Sequence, residues 1–124
     1  MNNDYTSSRK ERIEPQTVMR DETGAWHHPV WLAFIGGRKF VSRIELHQWL
    51  RRQMLEYTLS KMMSECCPAS MEEYRNVGTF RTWSPMPPAG PGWFTGAIYH
   101  SYVDGPVCVW LRYTRQEHAA NKHL

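Results

Sequence analysis

The stretch 41-VSRIELHQWLRRQMLEYTLSKMMSE-65 decides the fold, because it concentrates positive charge and places an apolar residue at every turn of a helix. Ser42 and Glu45 form an S-x-x-E capping box, in which the Ser hydroxyl accepts from the Glu45 backbone and the Glu carboxylate reaches back to the Ser42 amide. Val41 and Leu46 stand at the spacing of a hydrophobic staple around it. A helix therefore starts at Arg43. Ile44, Leu46, Trp49 and Leu50 give its first inward face, and Met54, Leu55, Thr58, Leu59, Met62 and Met63 continue at helical spacing until Pro68 forbids further helix.

Two arrangements satisfy this pattern. A single helix over 43–65 would be about 35 Å long at a rise of about 1.5 Å per residue, and would project or pair with a copy of itself. A helix-turn-helix needs instead a short corner with apolar residues on both sides, and Leu50, then Arg51-Arg52-Gln53, then Met54 meet that need. Residues 43–50 are then the supporting helix, and residues 54–66 the recognition helix that enters the DNA major groove. Gln53, Glu56, Tyr57, Ser60 and Lys61 form its exposed face. Gln53 can bond adenine edges, whereas Lys39, Arg43, Arg51 and Arg52 bond phosphates and add affinity without specificity.

The longer stretch 27-HHPVWLAFIGGRKFVSRIELHQWLRRQMLEYTLSKMMSE-65 resembles the helix-turn-helix segment of the small CaiF/GrlA-type transcriptional activators. The likeness lies in a short apolar helix, in the lead-in Gly37-Arg38-Lys39-Phe40-Val41-Ser42-Arg43, and in the helix pair that follows. It covers about 40 of the 124 residues and rests on spacing and residue class. It implies a DNA-binding activator and says nothing about the segments further on.

Working outward, residues 1–24 are polar and mixed in charge, which predicts a disordered or loosely attached arm. Residues 25–115 form a single α+β domain, and 116–124 a frayed tail. In 24-GAWHHPVWLAFIGG-37, Pro29 suits the first turn of a short helix over residues 30–35 that Gly36-Gly37 stops. After Pro68, 77-VGTFRTWSPMPPAGPGW-93 carries four prolines and three glycines, which leaves room for at most a short strand near 79–83. The segment 96-GAIYHSYVDGPVCVWLRYTR-115 predicts a C-terminal antiparallel β-hairpin about Asp104-Gly105, with Tyr99 facing Trp110 and Ile98 facing Leu111. Pro106 cannot donate the closing bond of a two-residue loop and admits a longer one. Helix-turn-helix followed by hairpin is the order of a winged helix. The tip Val103-Asp104-Gly105-Pro106 has no basic residue, which speaks against insertion into DNA.

The net charge of +3 is unevenly spread. Residues 38–61 hold six basic and two acidic side chains, against four and five before them and five and five after them. Such a local excess makes an electrostatic footprint for phosphate, and a solvated helix face looks the same. No stretch approaches the roughly 20 apolar residues that span a bilayer, and the first residues lack an apolar leader core, so a cytoplasmic protein without membrane contact is expected. Three cysteines, Cys66 and Cys67 adjacent, suggest reduced thiols. His27, His28, Cys66 and Cys67 lack zinc-ligand spacing, so no metal or other cofactor is expected. No nucleophile elbow, phosphate-binding glycine loop or carboxylate pair marks an enzyme.

The leading expectation is thus a sequence-specific transcriptional regulator that binds double-stranded DNA, as a homodimer because one recognition helix reads few base pairs. The competing one is a small non-enzymatic inhibitor or adaptor, of phage or plasmid type, that acts by contact with a host protein. Its aromatic residues and Met54, Met62, Met63, Met71 and Met86 suit an interface.

Overall fold

The computed structural model describes residues 13–38, 40–65 and 67–114. Over the described residues the chain is α+β, with three α-helices and a four-stranded antiparallel sheet. In chain order these are β1 (Trp26–His27), α1 (Pro29–Ile35), α2 (Arg43–Gln53), β2 (Leu55–Lys61), a 3₁₀ turn (Met62–Ser64), α3 (Pro68–Val77), β3 (Phe94–Ser101) and β4 (Gly105–Tyr113). The strands lie in the order β1-β3-β4-β2, so the hairpin is the middle of the sheet and β2 is an edge.

Local chemistry places the helices. Pro29 opens α1 and the imidazole Nδ1 of His28 accepts from the Val30 amide at 3.1 Å. Gly36, at φ 61, closes the helix with an amide bonded to Leu32 O. The capping box of α2 is formed as expected, with Glu45 N donating to Ser42 Oγ at 3.1 Å and Ser42 N to Glu45 Oε1 at 3.3 Å. Pro68 opens α3 and Gly78, at φ 84, ends it. That helix has the Pro-first, Gly-last signature, so Pro68, expected only to stop a helix, also starts one.

The main correction concerns residues 54–66. Met54 takes the left-handed conformation, φ 59 and ψ 49, and turns the chain from α2 directly into β2. No recognition helix follows, and neither a 23-residue helix nor a second helix of a helix-turn-helix spans this segment. The sequence L-E-Y-T-L-S-K satisfies both periods. Leu55, Tyr57 and Leu59 alternate with Glu56, Thr58 and Ser60 as a half-buried strand requires, while Leu55, Leu59 and Met62 keep helical spacing. Pairing of β2 with β4 along the whole length of β2, from Leu55↔Tyr113 to Lys61↔Val107, resolves the ambiguity in favour of the strand.

The hairpin exists, but its register differs from the expected one. Tyr99 faces Val107, Ile98 faces Cys108 and Phe94 faces Leu111, because a three-residue turn, Tyr102 to Asp104, replaces the two-residue loop. Gly105 supplies the positive φ, 74, that such a loop needs at its end. Flanked by β1 and β2, the hairpin is no projecting wing. No strand forms at 79–83.

Both faces of the sheet are covered. On one, α1 and α2 pack Trp31, Trp49 and Leu50 over Leu55, Val109 and Leu111. Phe34 stacks on Trp49 with centroids 4.7 Å apart, and Trp31 meets the same ring edge-on at 5.7 Å. On the other face, Met62, Phe80 and Trp83 cover Ile98, Cys108 and Trp110. There two charged side chains hold irregular chain in place. The Arg20 guanidinium donates to the carbonyls of Gly24, Phe80 and Trp83. The Glu73 carboxylate accepts from the amides of Arg81 and Thr82 and from the Thr79 and Thr82 hydroxyls.

The described part of the expected arm, residues 13–24, belongs to the domain. Ile13 is fully buried, its amide donates to Gln53 Oε1 at 3.2 Å, and its carbonyl accepts from the Tyr113 hydroxyl. Ile13, with partners on two elements, docks this otherwise polar segment together with Arg20, which bonds the Phe80 and Trp83 carbonyls, and with the Glu14 carbonyl, which meets His28 Nε2. The expectations for residues 1–12, for 115–124, and for Lys39 and Cys66 fall outside the described residues.

Candidate interaction surface at the β2 edge

Among the described residues β2 has one neighbour strand, β4, and its other side is open. The Thr114 amide donates to Met54 O at 2.8 Å, which fixes the phase of the antiparallel ladder. Alternation then directs the backbone of Glu56, Thr58 and Ser60 toward β4 and that of Leu55, Tyr57, Leu59 and Lys61 away from it. Among the described residues nothing pairs with these outward groups. The opposite edge, β1, is only two residues long.

Beside this edge lies a groove of about 630 Å³ between the last turn of α2 and the start of β2. Leu50, Met54 and Leu55 give it an apolar floor, and His47, Arg51, Glu56, Tyr57 and Thr114 form its walls. The His47 ring stands edge-on to Tyr57 at 6.3 Å. Apolar exposure continues on both sides, with Leu59 40% and Met63 46% exposed beyond the groove and Ile44 71% exposed at the other end of α2.

Electrostatics divide the local cations into two groups. Arg38 pairs with Glu45 at 2.7 Å, Lys61 with Asp104 at 3.4 Å and Arg112 with Glu56 at 3.3 Å. The hydrogen bond from Arg38 holds the Glu45 carboxyl below its ordinary range. Arg43, Arg51 and Arg52 are exposed and form no ion pair among the described residues. Arg51 and Arg52 sit in the last turn of α2, where a cation also favours the helix dipole, whereas Arg43 sits in the first turn, where it opposes it.

The residues expected to read DNA are scattered. Glu56 and Ser60 project from one face of the sheet, Tyr57 and Lys61 from the other, as alternation along a strand demands. Ser60 Oγ accepts from Trp110 Nε1 at 2.8 Å and donates to Met86 O at 3.0 Å. Gln53 holds Ile13 rather than a base edge. Of the expected set, the structure brings Arg51, Glu56 and Tyr57 together at the groove, with Arg52 next to Arg51. Sequence reasoning missed His47 and Met54 as groove residues, since only the helix-to-strand turn at Met54 brings them near Tyr57.

The other chemistry-bearing side chains have structural partners. His28 is fully buried, with Nε2 on Glu14 O. His27 stacks on Tyr99 with centroids 5.8 Å apart, and burial lowers its pKa. Burial also pushes the Cys108 thiol up to about 12, so it is not a thiolate at neutral pH. Among the described residues no group of three or more His, Cys, Asp or Glu is placed to hold a metal ion, and no helix is long and apolar enough to cross a membrane. Comparison with family profiles, with curated proteins and with solved structures finds no match to this chain.

Proposed function

We propose that the protein is a small non-enzymatic inhibitor or adaptor that acts by contact with another protein, which it engages along β2. The observation that carries this reading is the seven-residue edge strand, whose outward backbone is unpaired among the described residues, which carries exposed Leu59 and lies beside the α2–β2 groove. An open edge of this length invites strand addition, in which main-chain bonds give affinity and pockets for alternate side chains give specificity. The test is recovery from host extract after nuclease treatment. One stoichiometric protein should be retained by the wild type and lost with Leu59→Pro, which removes an outward amide that β4 does not use. Recovery of only nucleic-acid-dependent species contradicts the reading.

A second reading, a regulator of transcription that binds double-stranded DNA as a dimer, is favoured by Arg43, Arg51 and Arg52, cations without an ion pair among the described residues. With residues 54–61 in a strand, α2 rather than a recognition helix would lie against the phosphates. Fluorescence anisotropy on random duplex DNA tests it. Affinity that falls steeply with salt and is abolished by the double variant Arg51→Glu, Arg52→Glu supports it; no binding at low salt removes it.

A further inference from the structure

We infer that the occupant of the β2 edge is an extended acidic segment of a partner protein, which pairs with β2, seats an apolar side chain in the α2–β2 groove and places a carboxylate on Arg51. The inference rests on the edge-strand reading and adds the chemistry of the partner. Three features of the site select that chemistry.

The outward backbone of Tyr57 and Leu59 accepts only a segment in extended conformation, since the spacing of donors and acceptors along an edge matches another strand. The floor of the groove, Leu50, Met54 and Leu55, offers no charged group, so it takes an aliphatic or aromatic side chain. Charge then decides what flanks that side chain. The acid at the groove, Glu56, is already in an ion pair with Arg112, while Arg51 at the wall and Arg52 beside it pair with no acid among the described residues. A partner carboxylate finds there a guanidinium fork suited to two parallel hydrogen bonds. A basic segment would meet like charge instead.

The same distribution disfavours a second copy of this chain on the edge. Antiparallel self-pairing centred on Thr58 would set Leu55 of one copy opposite Lys61 of the other, which brings the Arg51–Arg52 end of β2 toward a lysine. The acid that self-association would bring to this end, Asp104, is already engaged by Lys61 at 3.4 Å and so is no free carboxylate for Arg51.

The experiment selects random dodecapeptides, displayed on phage, against the intact wild-type protein, and measures affinities of the selected peptides by fluorescence anisotropy. The expected peptides carry Asp or Glu beside an apolar residue. Their Kd should rise about tenfold with Arg51→Glu, the loss of roughly 1.4 kcal/mol, and binding should vanish with Leu59→Pro. Leu59→Glu, which keeps the strand but puts a like charge against an acidic segment at the edge, should weaken binding in the same sense and covers the case in which the proline variant fails to fold. Selected peptides without acidic bias, indifferent to Arg51→Glu but lost with both Leu59 variants, overturn the acidic partner and leave the edge reading standing. Binders indifferent to all three variants, or no binders, overturn both. Concentration-dependent dimers broken by Leu59→Glu would show a second copy on the edge and overturn the inference.

Discussion

β4 and β2 lie side by side in one sheet and differ in how many neighbours they have. β4 has a strand on each side and a covered face above and below, and every residue from Gly105 to Leu111 is buried. β2 has a strand on one side only, and along it only Leu55 is buried. A strand enclosed on all sides becomes a continuous apolar run, G-P-V-C-V-W-L, whereas a strand at an edge keeps alternation and carries charge at Glu56 and Lys61. The enclosed strand holds the fold together, and the edge strand leaves its outer backbone unpaired among the described residues.

The sharpest way to break this contrast is to remove equal chemistry from the two strands. Leu111→Ala, in the fully buried centre, should cost about 3–4 kcal/mol in urea unfolding, while Leu59→Ala at the edge should cost less than about 1 kcal/mol. Equal losses would mean that β2 is covered in solution.

Gly24→Ala is the next largest effect expected, about 2–3 kcal/mol. A Cβ at Gly24 would lie 2.8 Å from the Phe80 carbonyl carbon and 2.9 Å from the Arg81 amide, on backbone that Arg20 and Glu73 pin over β4. A thermal midpoint unchanged from wild type would show that this cover is loose.

Glu73→Ala should cost about 2 kcal/mol, because it orphans two backbone amides and two hydroxyls. Although burial pushes the Glu73 carboxyl up, the hydrogen bonds from Thr79, Thr82 and Arg81 outweigh it and hold the group well below its ordinary value of 4.5. A depressed carboxyl contributes stability that is full above its unfolded pKa and is lost as the pH falls through and below that value. Acid unfolding below about pH 4.5 should therefore be shallower in the Glu73→Ala variant than in the wild type, as followed by circular dichroism.

The smallest effect concerns His27, whose pKa is lowered by burial from the ordinary 6.5. The unfolded chain binds that proton more readily, so stability is full above about pH 6.5 and declines as the pH falls below it. His27→Gln should flatten this decline between about pH 6.5 and 5 in denaturant midpoints, and an unaltered slope would place the titration elsewhere.

What could be read from the sequence followed the same contrast. The capping box at Ser42 and Glu45, the Pro29 to Gly36 helix and the existence of the hairpin rest on local rules that tertiary contacts did not overrule. β2 was not legible, because the left-handed turn at Met54 has neither Gly nor Asn to announce it. The apolar positions of the strand then coincide with a helical stripe that begins in α2. The cover over the second face was not legible either, since Arg20 and Glu73 act on backbone carbonyls and amides distant in sequence. At the candidate site Arg51, Glu56 and Tyr57 were identified by type, but their meeting at a groove depends on the turn that the sequence hides.

The central claim, that residues 55–61 form an edge strand with an unpaired outer side, is tested most directly by amide hydrogen exchange resolved residue by residue in the free protein. The expected result is alternation, with Tyr57 and Leu59 exchanging fast and Thr58 and Ser60 protected, next to uniform protection through the middle of β4. Uniform protection from residue 55 to residue 61, as a continuous helix or an already paired edge would give, contradicts it.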